Sequence, residues 1–412
     1  MRSAIHDADA RYFDCAFIAC VARELIERAT LEDPRQWSDI VDGARVAIAS
    51  TLAPGYDIAT RADKDSHVSL FANTTSAFTR LLAQIERGYA GSRPTLLSTD
   101  LEYPGCIAAV DDSWGAPVVM AQLAAGLTAD PTGADAFLHD ALVRAFNVVK
   151  PRVVLVSHVI RATGQVLSKR TLRYFREANP CVLVIVDGSQ AVGNIVVDAE
   201  LLELCDFYIS SGHKWLGGMA TSGFVWQRDA SGRWQVADPA QSVAFRGQRQ
   251  PGGSGNAAAW TSLADSVSDM VEGRPLARLS RIAYTNRRLA RLFHVRLQAL
   301  SPKLQFLTPF PRGMPPSGLV SFAAAKPAGD TLGPAVHDAG FRFSVLEREQ
   351  IRWRGWLEDR YLLDCASTYP SIERASEYTD TWPRRAFRFC FHYWHSEQDV
   401  ISLADTIAEH LT

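Results

Sequence analysis

An α/β fold with a mainly parallel sheet is the architecture this sequence predicts, and three observations support it. The runs at 152–156 and 182–186 are short, β-branched and almost wholly apolar, as strands buried on both faces of a parallel sheet are. Segments of helical periodicity lie between such runs, Ala136 to Phe146 among them. The groups with reactive chemistry, Asp187 and the run Ser211-Gly212-His213-Lys214, directly follow strand-like runs, where open α/β sheets place their ligands.

With 412 residues the chain is long enough for a large core and two domains. Its 47% hydrophobic and 21% charged residues and net charge of −2 are those of an ordinary globular protein, with no bias toward nucleic acid or an anionic membrane. Seven scattered cysteines without a Cys-x-x-Cys pair predict reduced thiols and no metal site. No apolar run reaches membrane-spanning length, and an amino terminus bearing Asp7, Asp9 and Asp14 does not read as a signal peptide. A cytoplasmic location is the expectation.

Residues 10–52 alternate apolar and charged positions at helical spacing, predicting two helices joined at Asp33-Pro34. A strand at 68–72 runs into Asn73-Thr74-Thr75-Ser76, which opens a helix through Ile85. Small hydroxylated residues there offer donors to a phosphate, or serve only as a helix cap. A strand at 94–99 delivers Glu102 and Tyr103, whose flat ring could cover a heterocycle or simply pack in the core. Residues 126–135 read as a loop. The strand at 152–156 is followed by Ser157-His158 and Arg161, a guanidinium suited to a carboxylate and equally consistent with a surface turn. After a strand at 223–226, residues 230–256 read as irregular and include Ser254. A long arginine-studded helix over 272–300 leads to strands near 318–322, 341–345 and 387–391, the last holding Arg388, and to a closing helix from Glu397 to Leu411.

The stretch 182–223 carries the strongest chemical signal. A lysine at the inner end of a buried strand is costly unless paired or neutralised. The chain has only six lysines against 37 arginines, so a plain positive charge here is usually an arginine. What lysine can do and arginine cannot is lose its proton and form a Schiff base. That makes Lys214 a candidate for holding pyridoxal 5'-phosphate, with Asp187 opposite the pyridine nitrogen.

The pair Asp187-Gly188-Ser189-Gln190 and Ser211-Gly212-His213-Lys214 also resembles the hallmark of the class V aminotransferase group of fold-type-I pyridoxal-phosphate enzymes, which includes cysteine desulfurases, isopenicillin N epimerase-like proteins and kynureninase. The resemblance implies a large domain with a mainly parallel seven-stranded sheet between helices and a smaller α+β carboxyl-terminal domain. It divides the chain into a helical segment at 1–44, the cofactor domain at 45–275, and a linking helix with the small domain at 276–412. It further implies that Thr74, Thr75, Ser211 and His213 hold the phosphate, that Tyr103 stacks on the cofactor, and that Gln190 bonds its phenolic oxygen. Ser254 would reach the phosphate of the other subunit of a homodimer, and Arg388 would grip the substrate carboxylate. At the amino terminus only Tyr12-Phe13-Asp14 matches the family's opening strand, and weakly.

The implied activity is chemistry at the α carbon of an amino acid substrate, with Lys214 as the acid-base group. Transamination is the leading expectation, with epimerisation, β-elimination or decarboxylation as alternatives. The segment 340–347 has no cysteine, which disfavours persulfide formation. A fold relative without catalysis is disfavoured because a binding module has no use for a Schiff-base lysine.

Overall fold

A computed structural model of the chain describes residues 11–14, 37–52, 67–89, 94–115, 118–129, 133–228, 233–235, 242–244, 257–324, 328–347, 361–364, 372–374, 383 and 385–411. The first seven strands are β1 (Val68–Phe71), β2 (Leu96–Thr99), β3 (Val118–Gln122), β4 (Val153–Ser157), β5 (Leu183–Asp187), β6 (Phe207–Ser211) and β7 (Gly223–Gln227). They form one sheet in the order β1-β7-β6-β5-β4-β2-β3. Neighbours from β6 through β3 are parallel; β7 runs antiparallel to both β1 and β6. These are the seven mainly parallel strands expected.

The side-chain period of two explains why the strands read as unbroken apolar runs. Val154, Val156, Val184 and Val186 enter one core, and Val153, Leu155, Leu183 and Ile185 enter the other. Helices cover both faces. The first core receives α1 (Trp37–Leu52), and the second receives α2 (Thr74–Gly88) and α3 (Pro104–Ser113). Also in the first core are residues of α4 (Ala124–Ala129), α5 (Ala134–Val149), α6 (Lys169–Ala178), α7 (Ala199–Leu204) and α8 (Ala257–Val271).

Beyond residue 228 the described chain holds a two-stranded ribbon, β8 (Arg233–Gln235) with β9 (Ser242–Ala244), and the long helix α9 (Pro275–Leu300). The remaining strands are β10 (Gln305–Phe306), β11 (Leu319–Ala323), β12 (Ser344–Glu347), β13 (Tyr361–Asp364), β14 (Ile372–Arg374) and β15 (Arg385–Cys390). Strands β13 and β14 extend the large sheet beyond β3, making nine. A separate sheet, β10-β11-β15-β12, packs with α9, α10 (Ala328–Asp338) and α11 (Glu397–Leu411) around a phenylalanine-rich core that includes Phe322, Phe387, Phe389 and Phe391.

Four local expectations need correction. Within the stretch 230–256, expected to be irregular, residues 233–235 and 242–244 pair as the β8–β9 ribbon. Residues 124–129 are helix and not loop: the Asp100 carboxylate accepts from the backbone N–H groups of Leu123 (2.8 Å) and Ala124 (3.4 Å), supplying from a neighbouring strand end the cap the local sequence lacks. The strand expected at 341–345 lies at 344–347, because pairing with β15 selects the register. The long helix begins at Pro275, a residue suited to a first helical turn, and α8 precedes it. Of the two amino-terminal helices, the second is α1, which runs through residues 44 and 45; the first lies outside the described residues.

Candidate active site

Chain order explains where the site forms. Successive strands run outward from β2 to β3, then resume on the other side of β2 with β4, β5 and β6. Loops leaving neighbouring strands at that reversal diverge and leave a crevice at the carboxyl ends. The loops after β2, β4, β5 and β6 carry Tyr103, Arg161, Gln190 and Lys214 respectively, and all four line one cleft of about 880 Å³.

Lys214 sits in a turn closed by hydrogen bonds from Gly212 N to Ser222 O (2.6 Å) and from Gly218 N to Gly212 O (2.9 Å). It is 9% exposed. Burial lowers its pKa to about 8; Arg388 and Arg161 act in the same direction, while Asp187 pulls it back up. Its Nζ stands 5.2 Å from the centre of the Tyr103 ring, and the Arg161 guanidinium stands 5.5 Å from the same ring. Burial also lowers Arg161, to about 9, with Arg388 adding to the effect. Asp187 closes β5, buried, and its Oδ1 accepts from Ser189 N at 2.8 Å.

A cluster of hydroxyls lies at the amino end of α2. Thr74 Oγ1 hydrogen-bonds both Ser189 Oγ (3.0 Å) and Ser211 Oγ. Asn73 caps the helix by accepting from Ser76 N (2.8 Å), while the first N–H groups, on Thr74 and Thr75, have no acceptor within the helix by its geometry. Hydroxyls and free N–H groups at a helix amino terminus make an anion site. Two glycines let the parts approach. A Cβ at Gly223 would lie 2.7 Å from the backbone of Asn73, so β7 admits the start of α2 only with glycine there. One at Gly105 would lie 2.6 Å from Thr75 Oγ1 and 2.7 Å from the Tyr103 ring. His213 also lines the cleft; burial lowers it to about 4, with Lys214 contributing, so it is neutral, and its buried Nδ1 has no partner among the described residues.

Arg388 reaches the cleft from the other sheet. Along β15, Phe387 and Phe389 enter the small core, so the alternating Arg388 faces the opposite way, flanked by Ser321 and Ser344 on the neighbouring strands. It is 3% exposed. Its Nη2 donates to Ser344 Oγ (2.7 Å) and Asp14 Oδ1 (3.2 Å), and its buried Nε has no partner among the described residues.

Thus Lys214, Thr74, Thr75, Tyr103, Gln190, Ser211, His213, Arg161 and Arg388 line one cleft, with Asp187 buried beside it. Ser254 lies outside the described residues. Gln190 Oε1 accepts from the Trp215 indole N–H at 2.9 Å, so Trp215 fixes the plane of the carboxamide. Sequence reasoning missed Ser189, whose signal lay within the Asp187–Gln190 motif, and Asp14, whose only signal was the weak Tyr12-Phe13-Asp14 match. It also missed Ser344, for which the local sequence offers no signal.

The family model for aminotransferase class-V matches residues 61–309. The chain belongs to the class V aminotransferase family. Among curated proteins, the isopenicillin N epimerase of Streptomyces clavuligerus is 36% identical over 111 residues, 27% of this chain and 26% of that protein. The isopenicillin N epimerase of Amycolatopsis lactamdurans is 42% identical over 77 residues, 18% of this chain and 19% of that protein. The similarity thus spans only about a quarter or less of the curated relatives' length. Among solved structures, a NifS-like protein superposes with a TM-score of 0.67 at 16% identity, over 97% of this chain and 98% of that one. The apo cysteine desulfurase of Thermococcus onnurineus NA1 gives 0.68 at 15%, over 97% and 94%. At such identities these two establish the fold alone.

Class V aminotransferases use pyridoxal 5'-phosphate, and this chain belongs to that family. The residues fit the cofactor: a buried lysine with a lowered pKa, a buried carboxylate, a flat ring, and a hydroxyl cluster at a helix amino terminus beside an unpartnered His213 nitrogen. Among the described residues no group of His, Cys, Asp and Glu could hold a metal ion, and no helix is long and apolar enough to cross a membrane.

Proposed function

We propose that this protein moves the α proton of an α-amino acid whose carboxylate is held by Arg388. The observation that carries the reading is the pairing of two groups in one cleft. Lys214 has the lowered pKa an acid-base group needs, and Arg388 keeps beside its Nη2 a buried Nε that has no partner among the described residues. A carboxylate on the Nε edge would satisfy that donor with a charge-assisted bond. When bound, pyridoxal 5'-phosphate supplies an aldehyde that takes up the amine and a ring that withdraws electrons from the α carbon. With the cofactor bound, Lys214 would hold or return the proton at that carbon. Asp187 would stabilise positive charge on the ring nitrogen. Thr74, Thr75, Ser211 and His213 would hold the phosphate, and Tyr103 would cover the ring.

Transamination is the outcome we favour for this proton transfer. Epimerisation is the second reading, favoured by the local identity to two isopenicillin N epimerases. Incubation of the holoenzyme with common α-amino acids in heavy water tests the proposal. Lys214-dependent deuterium should appear at the α carbon of at least one. A 2-oxo acid then marks transamination, and the inverted amino acid marks epimerisation. Absence of exchange with every amino acid, in protein that binds the cofactor, would refute it.

A further inference from the structure

Arg388 already has an anionic neighbour. Asp14 is no wandering tail residue. Phe13 is fully buried, stacks on His395 with ring centres 4.2 Å apart, donates its N–H to Arg342 O (2.6 Å) and accepts at its carbonyl from Cys390 N (2.8 Å). These bonds fix Asp14 at the cleft, where its Oδ1 accepts from Ser344 Oγ and from Arg388 Nη2 at 3.2 Å. On the other side stands Arg161, which has no carboxylate within ion-pair distance among the described residues. Among the described residues, the substrate end of the cleft therefore holds two guanidinium groups and one carboxylate, one net positive charge.

We propose that Asp14 is a specificity-determining residue that limits the substrate to a single carboxylate, selecting amino acids with a neutral side chain over dicarboxylic ones. The inference rests on the reading above that Arg388 takes the α-carboxylate. One carboxylate neutralises the cleft. A second, on Arg161, would leave Asp14 as an uncompensated buried anion among like charges, which is costly. Without Asp14, two arginines would match two carboxylates. The acidic residue thus acts by excluding the wrong charge.

The test is a spectroscopic titration of the holoenzyme with near-isosteric pairs, glutamine against glutamate and asparagine against aspartate, reading affinity from the change in the cofactor's absorbance. The parent should bind the amide of each pair more tightly. Asp14→Asn keeps an acceptor for Ser344 and removes the charge, so it should shift the amide-to-acid preference toward the acid by about tenfold or more. Asp14→Glu should retain the parent preference, and Asp14→Ser serves in place of Asn if a thermal melt shows Asp14→Asn to be misfolded. Amino acids that perturb the spectrum with a preference unchanged in Asp14→Asn would overturn this inference and leave the Arg388 reading standing. A cofactor band that no common α-amino acid perturbs would overturn that reading, and this inference with it.

Discussion

Lys214 shows how one residue's chemistry comes from its surroundings. Burial disfavours the ammonium form, and the two arginines across the cleft add to the effect against the pull of Asp187. An amine must be uncharged to attack an aldehyde. With the pKa lowered from 10.5 to about 8, the free amine predominates above pH 8, and each unit below it removes about nine-tenths of the reactive form. The apoprotein should therefore capture pyridoxal 5'-phosphate at a rate that rises with pH up to about 8 and levels off there, measured by absorbance and by borohydride trapping. Lys214→Arg should bind the cofactor without being trapped, since arginine keeps its charge and cannot form the bond. A capture rate still climbing steeply through pH 10 would contradict the assigned environment.

At the scale of elements, the site depends on how closely α2 meets β7 and on which way β15 faces. Gly223 pairs with Phe71 and with Ser211 across its two strand neighbours and lies against the backbone of Asn73. Backbone cannot swing aside as a side chain can. Gly223→Ala should therefore displace the start of α2 from the hydroxyl cluster, weakening cofactor binding and lowering stability by about 1–3 kcal/mol, as seen by denaturant titration of the apoprotein. Unchanged stability and cofactor affinity would show that the contact is slack. For β15 the alternation Phe387, Arg388, Phe389 was readable from the sequence, and the resemblance is what proposes a substrate-binding role for the arginine. The helix at 124–129 was not, because its cap comes from Asp100, more than twenty residues away.

At the scale of the whole molecule, the cleft draws on the amino-terminal segment, the large sheet and the small sheet at once. The homodimer the resemblance implies is our proposal, with Ser254 reaching the partner's cofactor. Sedimentation of the holoenzyme should give twice the mass of one 45.3 kDa chain, and Ser254→Ala should weaken retention of the cofactor without changing that mass. An active monomer would rule the arrangement out.

The sequence by itself determined the parallel sheet and the family, and it singled out Lys214 and Asp187 as the candidate cofactor lysine and carboxylate. These are local facts: a buried strand must be apolar on both faces, and the motif residues follow their strands within a few positions. Only the tertiary structure decided that Arg161, ambiguous as a turn residue, shares a cleft with Arg388. It alone brought Asp14 and Ser344 together on that arginine, across 374 and 44 residues of chain. Sequence spacing carries no information about such meetings, because they are fixed by the packing of one sheet against another. The charge balance that we propose selects the substrate arises from that packing.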